Sequence, residues 1–351
     1  MVFWLSEYHK ALETVGFQDA IMMIVPSKAL AGSQYLTEDL KELLKQEQTE
    51  QDYQEMRQAY LDAGFKHVPD LLQLLRDKGD GSFSYYPIDH HFTSYSAWLW
   101  AAEAAKAIMQ SDIYPQLARY PVEIKMQTKR HQEPGWHHIR QVWEVCGRDY
   151  PLIDMPYYEL VYENKPDILA TISPEVVVVG NSNIGFEFNR PGSFGEDGTP
   201  GTGTADFLAH LSHLSVLKYG IYSLANTAIE AYLRTDFKAS VPPSFLVQYL
   251  EAHAYPYPSY HYRALPALAY GKCDKPVFES RLEKRGQMKV DLSGVEWGEG
   301  GGYGWLELNT PPANKAPGSS KKATKAASPI ACALKPMTAS WSIPIPLRPN
   351  F

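Results

Sequence analysis

Cysteine is nearly missing from this chain. Only Cys146, Cys273 and Cys332 occur, far apart and without a Cys-x-x-Cys pair. So sparse and odd a set excludes a disulfide framework and fits free thiols in a reducing compartment. No Asn-x-Ser/Thr sequon is present. No apolar run approaches the roughly 18 residues that a membrane helix needs. The stretch Met1 to Glu7 turns polar too early for a secretory leader. These absences predict a soluble, intracellular, cytoplasmic protein with no membrane partner. Catalytic signatures are missing too. There is no Gly-x-Ser-x-Gly elbow and no His-Glu-x-x-His. No Cys has a His partner close in sequence. A formal net charge of −7 argues against a surface that grips nucleic acid all over. It is compatible with a shell that merely encloses nucleic acid.

Aromatic residues and proline are abundant: 23 Tyr, 13 Phe, 8 Trp and 26 Pro in 351 residues. The load peaks at Tyr255-Pro256-Tyr257-Pro258-Ser259-Tyr260-His261-Tyr262. Pro lacks the N–H and fixes φ, so alternating Tyr and Pro runs extended rather than helical. Such a segment presents stiff amphipathic rings of the kind favoured at protein interfaces. Tyr255, Tyr257, Tyr260 and Tyr262 are therefore candidate interface residues. The ending Trp341-Ser342-Ile343-Pro344-Ile345-Pro346 places Trp341, Ile343 and Ile345 on an extended arm suited to docking on a neighbour.

With 44% hydrophobic and 21% charged residues, the chain is long enough to bury a substantial core. The run Ile21 to Val25, ended by Pro26, predicts a buried strand. Helices are expected over 37–62, capped by Thr37, over 69–76, and over 94–109 with Trp98, Ala101, Ala105 and Ile108 on one side. Residues 122–128, 139–145, 157–162, 176–179 and 184–188 read as strands. A loop follows over 189–204. The apolar stretch Phe207 to Leu233 predicts one long central helix, and Pro242-Pro243-Ser244 a short helix to His253. Strand-like pieces recur at 288–292 and 303–308. From Pro311 the composition is that of a linker. The expected division is a helical N-terminal part of the body (1–118), a strand-rich region with a Gly-rich loop (119–204), a helical core with the Tyr/Pro segment (205–310), and a Lys/Pro/Ala tail and arm (311–351). The fold class is α+β: a helix-rich shell-type domain, a smaller strand-containing protruding region and an extended C-terminal arm.

Three places invite a chemical reading. Asp206, His210 and His213 share one helix face by their spacing and form a candidate metal set. His137 and His138, or His90 and His91 beside Asp89, would complete it. The bland reading is a pair of histidines packed in a helix bundle. The loop Gly195 to Gly203 precedes a helix, where an anion is stabilised. It has neither a Walker Lys nor Gly-x-Gly-x-x-Gly, and Glu196 and Asp197 repel phosphate. Lys129, Arg130, Trp136 and Arg140 form the most basic aromatic cluster, able to contact single-stranded RNA. Its bland reading is a charged strand edge.

No catalytic constellation is complete, whereas interface residues and an arm are present. A self-assembling shell subunit accounts for both. In the helices 94–109 and 207–233 and the segment Tyr255 to Tyr262, the chain resembles capsid proteins of small double-stranded RNA viruses of the partitivirus type. The resemblance implies a structural coat protein that forms dimer-based homo-oligomers. These would assemble into a virion around RNA, and such a subunit needs no active site and no cofactor. The alternatives are a metal-dependent enzyme using the His-x-x-His helix, or a single-stranded RNA-binding protein.

Overall fold

The computed structural model describes residues 2–78, 84–86, 91–119, 124–133, 145, 147, 153–162, 174–181, 184, 203–220, 228–234, 243–251, 287–289, 302–308, 328–334 and 342–344. Its centre is a parallel sheet of four strands, β1 (Asp19–Val25), β4 (Val176–Gly180), β5 (Val216–Gly220) and β6 (Phe245–Glu251), in the order β1-β6-β4-β5. The intervening β2 (Ile124–Glu133) and β3 (Ile153–Tyr162) form a separate antiparallel pair. β7 (Gln287–Lys289) pairs antiparallel with β10 (Ser342–Pro344), and β8 (Gly302–Leu308) with β9 (Ser328–Leu334).

The helices are α1 (Val2–Val15), α2 (Lys28–Ala31), α3 (Glu38–Leu43), α4 (Gln46–Asp62), α5 (Leu71–Lys78), α6 (Ser94–Gln110), α7 (Thr204–Ser212) and α8 (Ala228–Arg234). Alternation along the strands divides them between the two faces of the sheet. Met22, Ile24, Val177, Val179, Leu246 and Leu250 face α1, α4 and α8. Ile21, Met23, Val176, Val178, Phe245 and Val247 face α5, α6 and α7. A parallel sheet covered on both faces reads as a continuous apolar run, and that is why Ile21 to Val25 and Val176 to Val179 contain no polar residue. Each fully buried aliphatic side chain here contributes about 1.5–3 kcal/mol of transfer free energy.

The crossovers follow from the strand order. The chain leaves β4 through α7 toward β5, on the outside of the sheet. It returns through α8, passing back over β4 to insert β6. Right-handed connections running in opposite directions put their helices on opposite faces, and α7 and α8 indeed lie in different core clusters.

The mixed helix-and-strand character expected from the sequence is present. Its central element, the covered parallel sheet, was not foreseen. The expected helix 207–233 is three elements. His213 adopts a left-handed conformation, φ 56°, and stops α7. β5 follows, and α8 then begins at Ala228. β5 is short and only partly buried, too few residues to show a period of its own between two apolar helices. A strand covered on both faces loses its alternation, and of 242–253, expected as helix, the residues Phe245–Glu251 form β6, the strand between β1 and β4. The helix over 37–62 breaks at Lys45, which has φ 46°. Helix 94–109 and the strand at Ile21 to Val25 are found where expected, as are the strands at 157–162 and 176–179. Of 184–188 only Ile184 is described, and it is helical. The expected strand over 139–145 lies outside the described residues apart from Val145, and the loop over 189–204 outside them apart from Gly203 and Thr204. No helix among the described residues is long and apolar enough to cross a membrane.

Candidate active site

In an open parallel sheet, ligands are bound beyond the carboxyl ends of the strands. β1 ends at Val25, and the chain turns through Pro26 into α2. Ser27 caps that helix, accepting from the Leu30 N–H at 3.2 Å. Over this turn lies a short antiparallel pairing in which Tyr85 opposes Phe92. The Tyr86 N–H donates to the His91 carbonyl at 3.1 Å, and the Thr93 N–H to the Ser84 carbonyl at 3.1 Å. The Tyr85 hydroxyl donates to the Pro26 carbonyl. Lys28 Nζ donates to the Tyr86 carbonyl at 2.8 Å. Thr93 then caps α6, its Oγ1 accepting from the Ser96 N–H at 3.4 Å. His91 is thereby held through its carbonyl and through the Thr93–Ser84 bond that follows it, with only 7% of its surface exposed.

The exit of β4 is the second part. Asn181, also buried, follows Gly180, and its carbonyl accepts from the Ile184 N–H at 3.0 Å, closing a tight turn. Gly180 has no room for a side chain: a Cβ there would lie 2.5 Å from Ile184 Cγ1 and 3.1 Å from Tyr249 Cβ. Ser182 is next in the chain and lies outside the described residues. The two parts share packing. The Phe92 ring meets Trp100 at 4.4 Å edge-on, and Trp100 lies 6.4 Å from the Tyr249 ring. Tyr249 in turn abuts Gly180. β6 alone separates β1 from β4, so their ends are two strand spacings apart, about 10 Å. A buried histidine and a cramped strand-to-helix turn at one sheet edge are the setting in which a hydroxyl becomes a nucleophile.

The family model described as an SGNH hydrolase-like domain, acetyltransferase AlgX, matches residues 4–247, from α1 into β6. The chain belongs to this family. Among solved structures, AlgX of Pseudomonas aeruginosa superposes with a TM-score of 0.59 at 19% identity, over 87% of this chain and 65% of that one. The O-acetyltransferase domain of Pseudomonas putida AlgJ gives a TM-score of 0.53 at 15% identity, over 75% of this chain and 82% of that one. At those identities the likeness shows the fold, and this chain spans just under two thirds of the AlgX chain. No curated protein matches the chain in a sequence comparison.

Membership in the SGNH hydrolase-like AlgX family overturns the resemblance to viral capsid proteins, and with it the coat-protein and virion reading. That resemblance rested on aromatic-rich helices and extended segments, features any large core or interface shares. One of its helices, 207–233, does not exist as such. The alternatives, a metal enzyme on the His-x-x-His helix and an RNA-binding protein, gain no support from the same matches.

The sequence-selected residues are placed as follows. Asp206 Oδ2 accepts from the Gly203 N–H at 3.0 Å, so this carboxylate closes the first turn of α7. His213 is the residue that ends α7. Burial holds His210 below the ordinary imidazole range, and the nearby His213 adds to this. Among the described residues, no group of three or more His, Cys, Asp or Glu is arranged to hold a metal ion. Lys129 and Arg130 lie on β2 opposite Tyr157 and Pro156 of β3. Ile343 lies on β10 opposite Met288. Trp136, Arg140, Tyr255, Tyr257, Tyr260, Tyr262, Trp341 and Ile345 lie outside the described residues, as do Asp89, His90, His137 and His138.

Sequence reasoning grouped His91 with Asp89 only as spare metal ligands, and passed over Gly180-Asn181-Ser182 entirely. The available signal was positional: a run of four valines followed at once by Gly-Asn-Ser-Asn. That is a buried strand delivering small polar residues to the carboxyl edge of a sheet.

Proposed function

We propose that this chain is an O-acyltransferase of the SGNH hydrolase-like kind, transferring an acetyl group through Ser182 with His91 as general base. The observation that carries this reading is the pinning of buried His91 at the same sheet edge as the cramped exit of β4. Asp89, two positions before His91, is the acidic residue assigned to orient the imidazole.

The steps follow from the groups. His91 accepts the Ser182 hydroxyl proton as Oγ attacks the acetyl carbonyl of an ester donor. The tetrahedral intermediate collapses, the donor alkoxide leaves with that proton, and the acetyl group stays on Oγ. An acceptor hydroxyl then attacks the acetyl-serine, passing its proton to His91. Collapse returns that proton to Ser182 and releases the new ester. Water in place of the acceptor yields acetate, so transferase and esterase activities share one intermediate.

The test uses an aryl acetate as donor, with release of the phenol as the readout. Ser182→Ala and His91→Ala are each expected to lower kcat by about 10³-fold or more, as removal of one member of such a unit does. Mass spectrometry of wild-type protein quenched during turnover is expected to locate an acetyl group on the peptide holding Ser182. Retention of activity by Ser182→Ala, or acetylation elsewhere, removes the reading.

A further inference from the structure

Two bonds described above lie outside the reacting groups and tie the segment that carries the base to the turn after β1. The Tyr85 hydroxyl reaches the Pro26 carbonyl, and Lys28 Nζ reaches the Tyr86 carbonyl at 2.8 Å. Both join the turn after β1 to residues almost sixty positions later in the chain. The Tyr86 residue is bonded at both its backbone groups: its C=O accepts from a cation, while its N–H donates to the His91 carbonyl at 3.1 Å. A run of bonds therefore leads from the end of the sheet to the backbone of His91: Lys28, Tyr86, His91. On its other side the segment is fixed by Phe92 on Trp100 and by the Thr93 cap of α6.

We infer that Lys28 and Tyr85 are positioning residues for the base, setting where His91 stands relative to the β1 end of the sheet. This inference rests on the acyl-transfer reading above. Neither residue is assigned contact with donor or acceptor. They act through His91, so their loss is felt in proton transfer and not in binding. A displacement of about 1 Å in a catalytic group is enough to cost about 10²-fold in rate.

The experiment combines Lys28→Met, which keeps the aliphatic stem, with Tyr85→Phe, which removes a single oxygen. Each is assayed for kcat and KM with the aryl acetate, for thermal melting, and for the rate of Ser182 labelling by a fluorophosphonate, which reports serine activation without an acceptor. The expected result is a fall in kcat of about 10- to 100-fold with KM within about twofold, and a parallel slowing of labelling. Melting of Lys28→Met is expected to be unchanged, and Lys28→Arg, which restores a donor, is expected to recover part of kcat. Labelling at the wild-type rate in both variants overturns the inference and leaves the acyl-transfer reading standing. So does a loss of kcat in Lys28→Met that merely follows a loss of melting temperature. If fluorophosphonate fails to label Ser182 in the wild type, the functional reading falls and this inference falls with it.

Discussion

Placing a methyl group on Gly180 tests both the fold and the site. The new Cβ of Gly180→Ala would stand 2.5 Å from Ile184 Cγ1, 3.2 Å from Ile184 Cβ and 3.1 Å from Tyr249 Cβ. The two Cβ atoms stay in place under any rotamer change, and Cγ1 swings away only by turning χ1 of a fully buried isoleucine, so relief requires the backbone of the turn to shift. Overpacking of this kind costs about 1–3 kcal/mol. Ile184→Ala alone removes Cγ1 and leaves a cavity, at about 2–5 kcal/mol. In the double variant the added methyl occupies space that the isoleucine has vacated. The combined loss is then expected to fall short of the sum of the single losses by about 1–2 kcal/mol. Urea unfolding followed by fluorescence supplies all the legs of the cycle. Because the shift falls at the residue directly before Asn181 and the proposed nucleophile, Gly180→Ala is expected to lose about 10²-fold in kcat on the aryl acetate. Additivity within about 0.5 kcal/mol refutes the steric account. Wild-type kcat in Gly180→Ala refutes the link between this turn and the chemistry.

Two further predictions concern groups away from the site. Tyr8 donates to Gln248 Oε1 at 2.6 Å across the α1 face of the sheet, and burial pushes its phenol far above the usual range. Tyr8→Phe strands a buried acceptor and is expected to cost about 1–3 kcal/mol in urea unfolding. Adding Gln248→Leu is expected to return most of that loss, and no recovery refutes the assignment. Arg76 bonds both oxygens of Glu50, at 2.6 and 2.7 Å, and these bonds hold the carboxyl below its usual range against the opposing effect of burial, with the Arg76 charge adding to them. A folded value below the unfolded one means the stabilisation is complete above the ordinary carboxylate range and lost as pH falls through the lowered value. Glu50→Gln is therefore expected to flatten the acid side of the stability profile between about pH 6 and 3. An unchanged slope counts against the pair.

Much of the fold was legible where burial left a one-sided pattern. Ile21 to Val25 and Val176 to Val179 are too uniformly apolar and too short to be anything but interior strands, and Ser94 to Gln110 carries a helical face of alanines behind a Thr cap. Phe245 to Glu251 was misread because a strand covered on both faces loses its period of two, and Val216 to Gly220 because a short, partly buried edge strand shows too few residues to set it apart from the apolar helices around it. The site was less legible still. His91 owes its place to the pairing of Tyr85 with Phe92 and to bonds from Lys28 and Tyr85, contacts that no spacing rule encodes. The Gly-x-Ser-x-Gly elbow sought in the sequence is absent, and the acyl-transfer reading instead places the serine after Gly180-Asn181, where Ile184 and Tyr249 crowd Gly180.

The strand order also governs how the protein is made. β6 is the last strand to enter the parallel sheet, yet it occupies an interior position, pairing Asp19 of β1 with its own Phe245. A ribosome that has released everything up to α8 has produced both neighbours of β6 without the strand that joins them. Each neighbour then presents an open edge, and such edges recruit other chains. The nascent protein therefore stays vulnerable until residues 245–251 emerge. A C-terminal truncation before that point is expected to give aggregates rather than a smaller folded unit.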